Sequence, residues 1–592
     1  MQRFWTINEL VSGTFAFLEQ GDLFRCALVS KCLSELALDS LYREIDRLFN
    51  ILSILSPISP PTYASHYNGF PRNPIVTFDK QSFSEDDWVR FQKYARRVRK
   101  LDCNWAQNEY NIPPLSGPDP RSFNIPYFAL FPHLKILRWT GRHSMVFQDM
   151  HVALPASLKE LTLQAPSSII LDQLHRVLQR CLKLESVTLL LDYLEVCMLE
   201  DEYDYNLPSI DDNKLSMLMT FMPYVKELHL TPLLVAAETL KSISRLPSLT
   251  SLKVVPWSSL PRKFPLTPPS LSPPSEGSTF PALRELCLRL PRDSPSIPEC
   301  YTACPITSLW LDADQDSAED FPTLLPEIAQ FRHLRYLVIM LLTHHTPIIV
   351  PNEGPSHFQS DSEQYLTFDM LRPLLSLSLV TFEVFVDRLA LLEHEIEEMA
   401  YSWPSLEALS LCIPDVPFPE SSVPHKSMPI SSLEVFGRHC HNLKQLRIYV
   451  DATVVPPRSD NVAERHVFDC LQQLDLWGSK VNKPRDVALY LAEILPRDCE
   501  LVRSEGWTYE CEELFGLTGY TVSDVWDDIG LLFAGMQSLK SEVFDRLSQI
   551  SPCEERNLEP IDDVFRLQST AKKSVMAIEH LLNPFPKAEG PL

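Results

Sequence analysis

The sequence predicts an α/β chain. A three-helix module stands at the N-terminus, and a curved solenoid follows, with parallel strands on its concave side and helices on its convex side. A helical cap closes the C-terminal end. Three observations predict this. Apolar residues recur at helical spacing through residues 6–46. From Val98 onward an apolar-x-x-apolar-x-apolar pattern returns thirteen times. Stretches of helical period, such as 168–182, 238–243 and 389–399, separate those copies.

In the module, Thr6 and Glu9 form T-x-x-E before an apolar run, the signature of a capping box. Leu10, Val11, Phe15 and Leu18 then line one helical face. Gly21 stands where a helix C-terminus favours a residue tolerant of positive φ, and Asp22 is placed to cap a second helix carrying Leu23, Cys26, Ala27 and Val29. Ser30 and Lys31 follow. A third helix, from about Leu33, carries Leu36, Ala37, Leu41, Tyr42 and Ile45. Some forty residues bury too little surface to be stable alone, so the module needs a partner or the rest of its chain. Periodicity by itself leaves two readings open: a docking module, or the N-terminal cap of the array.

The thirteen copies start at Val98, Leu134, Leu158, Leu184, Val225, Leu249, Leu283, Ile306, Leu334, Leu379, Leu406, Leu443 and Leu471. Each reads as a short strand whose alternate residues point inward. No copy buries its own face alone, so the copies must stack. Strand followed by helix gives a parallel sheet, the order of a leucine-rich repeat solenoid. The array is irregular. Proline stands at or beside the place where a regular repeat carries Asn or Cys, at Pro166, Pro232, Pro256, Pro291 and Pro414, and proline ends a strand by removing a donor. A generic α/β or purely helical array is the alternative architecture. Residues 256–281 are rich in Pro and Ser and read as an extended insertion; 343–363 read as a polar loop. Residues 484–495 predict the last repeat's helix, 499–502 a last short strand, and 522–550 a capping helix. The domains are thus 1–55 (module), 56–97 (linking segment), 98–505 (solenoid) and 506–592 (cap and tail).

The net charge of −24 over 592 residues disfavours nucleic acid as a main partner. Acids cluster at Glu195–Asp212 without an intervening base, which reads as a solvated loop. No apolar run is long enough to span a membrane, and no secretory signal opens the chain. With 14 cysteines in no tight framework, an intracellular, reduced protein is expected, cytoplasmic and/or nuclear. Sites for chemistry fail on spacing. Asp312-Asp314-Asp316 opens like a calcium loop, but Ser317 and Thr323 stand where Gly and Glu are required. His394-Glu395 has Glu398 where a zinc helix needs its second His. Cys300/Cys304 and His439-Cys440-His441 lack complementary ligands. No enzyme activity, metal or cofactor is expected.

Asn8-Glu9-Leu10, Asp22-Leu23, Cys26-Ala27-Leu28-Val29-Ser30-Lys31 and Leu41-Tyr42 fall in register with the F-box pattern, so the module resembles an F-box. The pattern's early proline is absent, and Leu33 stands where a tryptophan is common. With its irregular repeats the whole chain resembles fungal-type F-box proteins. The resemblance implies the substrate receptor of an SCF-type cullin ubiquitin ligase, docked on a Skp-type adaptor through Leu10, Leu18, Leu23, Leu28 and Val29. A leucine-rich repeat scaffold without a ubiquitin role is the alternative. A protein target would meet the strand residues between the apolar ones. Among Asp102, Arg138, Thr162, His229, Lys253, Arg289, Trp310, Arg447, Asp475 and Trp477, the candidates are Arg138, Lys253, Arg289, Trp310, Arg447 and Trp477, because Arg and Trp dominate interfaces. The cations suit an acidic or phosphorylated segment. Arg96, Arg97, Arg99 and Lys100 form a second basic cluster.

Overall fold

The computed structural model describes residues 8–46, 51, 53–54, 85–104, 130–140, 154–165, 167–191, 212–231, 234–235, 237–254, 280–290, 297, 299–314, 321–342, 366–386, 389–412, 428–457, 468–476, 479–502 and 524–549. Thr6, the five turn prolines, the acidic cluster before Asp212, most of the 256–281 insertion, the 343–363 loop and Trp477 lie outside them.

The middle residue of each of the thirteen apolar triads falls on a strand of one parallel sheet, with the first residue just before it. That sheet has fifteen strands in chain order, from Glu44–Ile45 (β1) and Lys100–Asn104 (β2) to Gln473–Asp475 and Glu500–Leu501. The register is uniform. Leu101 pairs with Leu137, Leu137 with Leu161 and Leu161 with Val187; the same position continues through Leu228, Leu252, Leu286, Leu309 and Leu337. One-residue slippage would turn each of these leucines out of the core, so burial enforces the register. Just before each strand a second ladder runs: Arg99 N–H donates to Arg43 O, Lys135 N–H to Arg99 O and Lys159 N–H to Lys135 O, each at 2.8 Å.

Helices such as Ser167–Leu178, Asp212–Met219, Glu393–Ser402 and Pro484–Ile494 connect the strands, and their apolar faces join the strand leucines in one continuous core from Ile45 to Phe533. The 389–399 helix starts later than expected, at Glu393. Leu389–Ala390 form a short strand with Leu366–Thr367 instead, and the Glu395 carboxylate accepts the Leu392 N–H at 2.6 Å to fix the start. At the far end the helix Asp524–Gln549 covers Pro484–Ile494. Trp526 Nε1 donates to Ser479 O (3.1 Å), Gln537 Nε2 to Pro496 O (3.2 Å) and Lys540 Nζ to Ala492 O (2.9 Å).

One repeat feature escaped the pattern. Three residues before the first apolar position sits another buried residue, as at Phe131, Cys181, Met222, Phe280, Phe331, Trp403, Cys440 and Phe468. At Phe131, Met222, Phe331, Trp403 and Cys440 its carbonyl closes a turn by accepting the N–H three residues on.

The sheet also begins earlier than Val98. Ile45 is not in the third helix but in β1, where Glu44 pairs with Lys100 and Ile45 with Leu101. The third helix stops at Leu41, and the module's last residues supply the solenoid's first strand. Helix Glu85–Ala95, inside the expected linking segment, packs Phe91 and Ala95 into the same core.

Candidate functional site

The module consists of α1 (Asn8–Phe15), α2 (Gln20–Val29) and α3 (Lys31–Leu41). Two expectations shift here. Gly21 lies inside α2 rather than at a C-terminus, and Asp22 is a first-turn residue, ion-paired to Arg25 at 3.0 Å. The cap that forms is Ser30, whose Oγ accepts the Leu33 N–H at 3.2 Å and so bends the chain from α2 into α3.

The module's own core is Val11, Phe15, Leu23 and Ala37, with Leu18, Cys26, Ala27, Leu33, Leu36 and Leu41 packed around it. Two of the five expected contact residues are not exposed. Leu23 is only 6% exposed and Leu18 packs inward, so both hold the three helices together. Leu10, Leu28 and Val29 are exposed, Leu28 at 72%. Phe17 and Phe24, which the motif did not single out, are exposed with them, Phe17 at 91%. Phe24 and Leu28 stand four apart on α2 and share a face. Five large apolar side chains are thus uncovered within twenty residues, and exposed apolar surface that clusters marks interaction sites.

The module that carries them is joined to the solenoid by side-chain contacts. The Arg97 side chain, 4% exposed, donates to the Glu35 carbonyl at 3.0 Å and to the carboxylates of Glu35 and Asp39 on α3. Its hydrogen bond holds the Glu35 carboxyl below the ordinary 4.5, with the nearby charges of Arg97, Lys93 and Arg96 adding to the effect. Tyr42 packs against Tyr94 with ring centroids 4.9 Å apart and ring planes tilted by 51°.

On the sheet face away from the helices, Asp102, Arg138, Thr162, Thr188, His229, Lys253, Cys287, Trp310, Val338, Glu383, Ser410, Arg447 and Asp475 form one row in register. Four of the six predicted target contacts, Arg138, Lys253, Trp310 and Arg447, stand in it. Arg289 is one pleat further along, opposite Asp312. Three of the four cations are not a free basic surface: Arg138 lies 3.9 Å from Asp102, Arg289 4.0 Å from Asp312 and Arg447 3.0 Å from Asp475. Each sits beside an acid on the neighbouring strand, which sequence spacing across tens of residues conceals. The centre of the row is apolar instead. Trp310 (46% exposed) and Tyr336 stand out on adjacent strands, flanked by half-buried Val338 and Met340.

Glu383 borders this patch, and burial raises its pKa above 4.5 while the charge of Arg447 opposes the rise. A raised folded-state pKa favours the native state below 4.5, and that contribution is lost as pH rises through the folded value. Glu383→Gln is therefore expected to be more stable than the parent at pH 7 and equal to it below pH 4.5 in urea titrations. A variant less stable than the parent at pH 7 would show that the ionised group is held by contacts worth more than its burial costs.

The weak metal motifs separate. Cys440 is buried with its thiol toward Ala400 O and Trp403 O, His441 meets Asp469 at 3.1 Å, and His439 lies 3.7 Å from Glu397. Burial pushes the Cys300 thiol up to about 12, against the thiolate that a metal needs. Among the described residues no helix is long and apolar enough to cross a membrane.

No family model matches the chain, and no curated protein matches its sequence. Solved structures similar to it include a chain of the mouse RP105/MD-1 complex (14% identity, TM-score 0.34, 73% of this chain and 63% of that one). A chain of the TLR13–ssRNA13 complex follows (12%, 0.30, 70% and 51%), and one of the Drosophila Toll–Spatzle complex (14%, 0.27, 75% and 65%). The match spans less than two thirds of each of those chains.

Proposed function

We propose that this chain is a non-catalytic substrate receptor of an SCF-type cullin ubiquitin ligase, working in the cytoplasm and/or nucleus. The module docks on a Skp-type adaptor, and the open face of the solenoid holds a protein target. The observation that carries the reading is the uncovered face of Leu10, Phe17, Phe24, Leu28 and Val29, on a module whose sequence resembles an F-box and whose position is fixed by Arg97. A receptor of this kind acts by tethering: it raises the effective concentration of the ligase near a target lysine, and rigidity keeps the two ends at a set distance.

A second reading has its own support. Because β1 continues the sheet at its edge, the module also serves as an N-terminal cap, as a scaffold without a ubiquitin role requires. Affinity purification separates the two. The full chain should capture the adaptor and cullin. Phe24→Asp with Leu28→Asp should weaken capture by about 100-fold or more, as expected for two interface hot spots, with an unchanged melting curve because both side chains are exposed. A full chain that captures neither protein would sink the receptor reading and leave the scaffold.

A further inference from the structure

We infer that the cavity between the module and the first strands of the solenoid binds a phosphate-bearing dianion. The inference rests on the junction itself and holds for a ligase receptor or a scaffold alike. The cavity, about 330 Å³, opens where α3 and β1 meet the strands Lys100–Asn104 and Ile136–Thr140. Arg43, Arg99 and Lys135 line it, together with Arg97 and Lys100 and two acids, Asp39 and Glu44. The acids are already engaged: Asp39 holds Arg97, and Glu44 holds Lys100 at 3.0 Å. Among the described residues the Arg43 and Lys135 side chains meet no hydrogen-bond or ion-pair partner, and Arg99 reaches only the carbonyls of Arg96 and Val98.

The three residues are consecutive in the row that precedes the strands, joined through their backbones by the 2.8 Å ladder. Neighbouring strands lie about 4.8 Å apart, and like charges directly opposite one another destabilise a sheet. Beyond Lys159 the row avoids this repulsion. Glu185 stands between Lys159 and Lys226 and pairs with both, while Lys444 pairs with Glu407. Arg284 and Arg335 are kept apart by Thr307. Among the described residues, only at this end of the row do adjacent cations (Arg43, Arg99, Lys135 and Lys159) follow one another without an acid between them, and of the four Lys159 is paired with Glu185 beyond it, in a chain whose net charge is −24. A dianion in the cavity removes that repulsion, and guanidinium groups meet phosphate oxygens in paired hydrogen bonds. A cavity of this size takes a phosphate ester head or a pyrophosphate. The group could arrive as a small free phosphate or on a phosphorylated protein segment. Either one would tie β1 to the next two strands and so brace the module.

Calorimetric titration of the full chain at fixed ionic strength tests this, with pyrophosphate, inorganic phosphate and O-phosphoserine as probes and chloride as reference. At least one probe should bind saturably, and Arg43→Gln with Lys135→Gln should weaken it by about tenfold or more. Arg335→Gln, in the same row but outside the cavity, should leave it unchanged. Tighter binding of pyrophosphate assigns a free phosphate, and tighter binding of phosphoserine assigns a modified segment. The inference fails if no probe binds beyond chloride, or if Arg335→Gln costs as much as the double variant.

Discussion

Trp403→Ala should lower the stability of the chain by about 3–5 kcal/mol, read as a shifted urea midpoint. Trp403 is 1% exposed and sits in the turn between helix Glu393–Ser402 and strand Ala408–Cys412. Its ring meets Phe382 edge-on, with centroids 5.0 Å apart, and its indole N–H donates to Leu374 O at 3.3 Å. Its own carbonyl accepts the Leu406 N–H, which sets the first apolar position of the next strand. Truncation therefore opens a cavity, removes one of the two hydrogen bonds that the Leu374 carbonyl accepts (the other comes from the Leu377 N–H) and loosens a repeat boundary together. Neighbouring repeats supply each other's stability, so the loss spreads to both sides of the boundary. Trp403→Phe keeps most of the packing and should cost about half as much or less. A loss below about 1 kcal/mol for alanine would mean that this buried row fills space without organising the repeats.

The same row shows why part of the fold was legible in the sequence and part was not. The strand leucines are similar in type and fixed in spacing, so thirteen triads sufficed to locate thirteen strands. The row at Phe131, Cys181, Met222, Phe331 and Trp403 is equally buried, but its residues differ in size and chemistry, and no single-letter pattern gathers them. The strand β1 escaped for another reason. It has two residues, and its partner Lys100 lies more than fifty positions downstream.

In the module the helices were legible but their rotation was not. Successive residues on a helix are separated by about 100°, so motif register alone does not say which of Leu23, Phe24 and Leu28 faces α3. Leu23 turned inward against Val11, Phe15 and Ala37, and the exposed positions fell to Phe24 and Leu28. A Leu23→Asp variant would place a carboxylate in that core and unfold the module, so loss of adaptor binding in it would say nothing about contact.

Replacing Trp310 and Tyr336 by alanine should remove the target from the solenoid, with a loss of about 2 kcal/mol or more, roughly 30-fold in affinity. The two stand on adjacent strands of the open face, with Val338 and Met340 beside them, and both are exposed. Three of the four cations expected to recognise an acidic segment sit beside Asp102, Asp312 and Asp475, and a cation already facing an acid gains little from a second one. Aromatic side chains lose less conformational freedom on binding and bring more apolar area, so the energetic centre of this face moves from its charges to its rings. Proximity labelling from the full chain with Phe24→Asp and Leu28→Asp, which on the proposed receptor reading would keep a bound target from ligase-driven turnover, gives the reference set of proteins. Adding Trp310→Ala and Tyr336→Ala should empty that set, while Arg138→Ala should leave it nearly intact. The reverse pattern would place recognition on the cations. In that case Arg138 must leave Asp102 to meet its ligand, and the acids of the row would act as a gate selecting for ligands of higher charge.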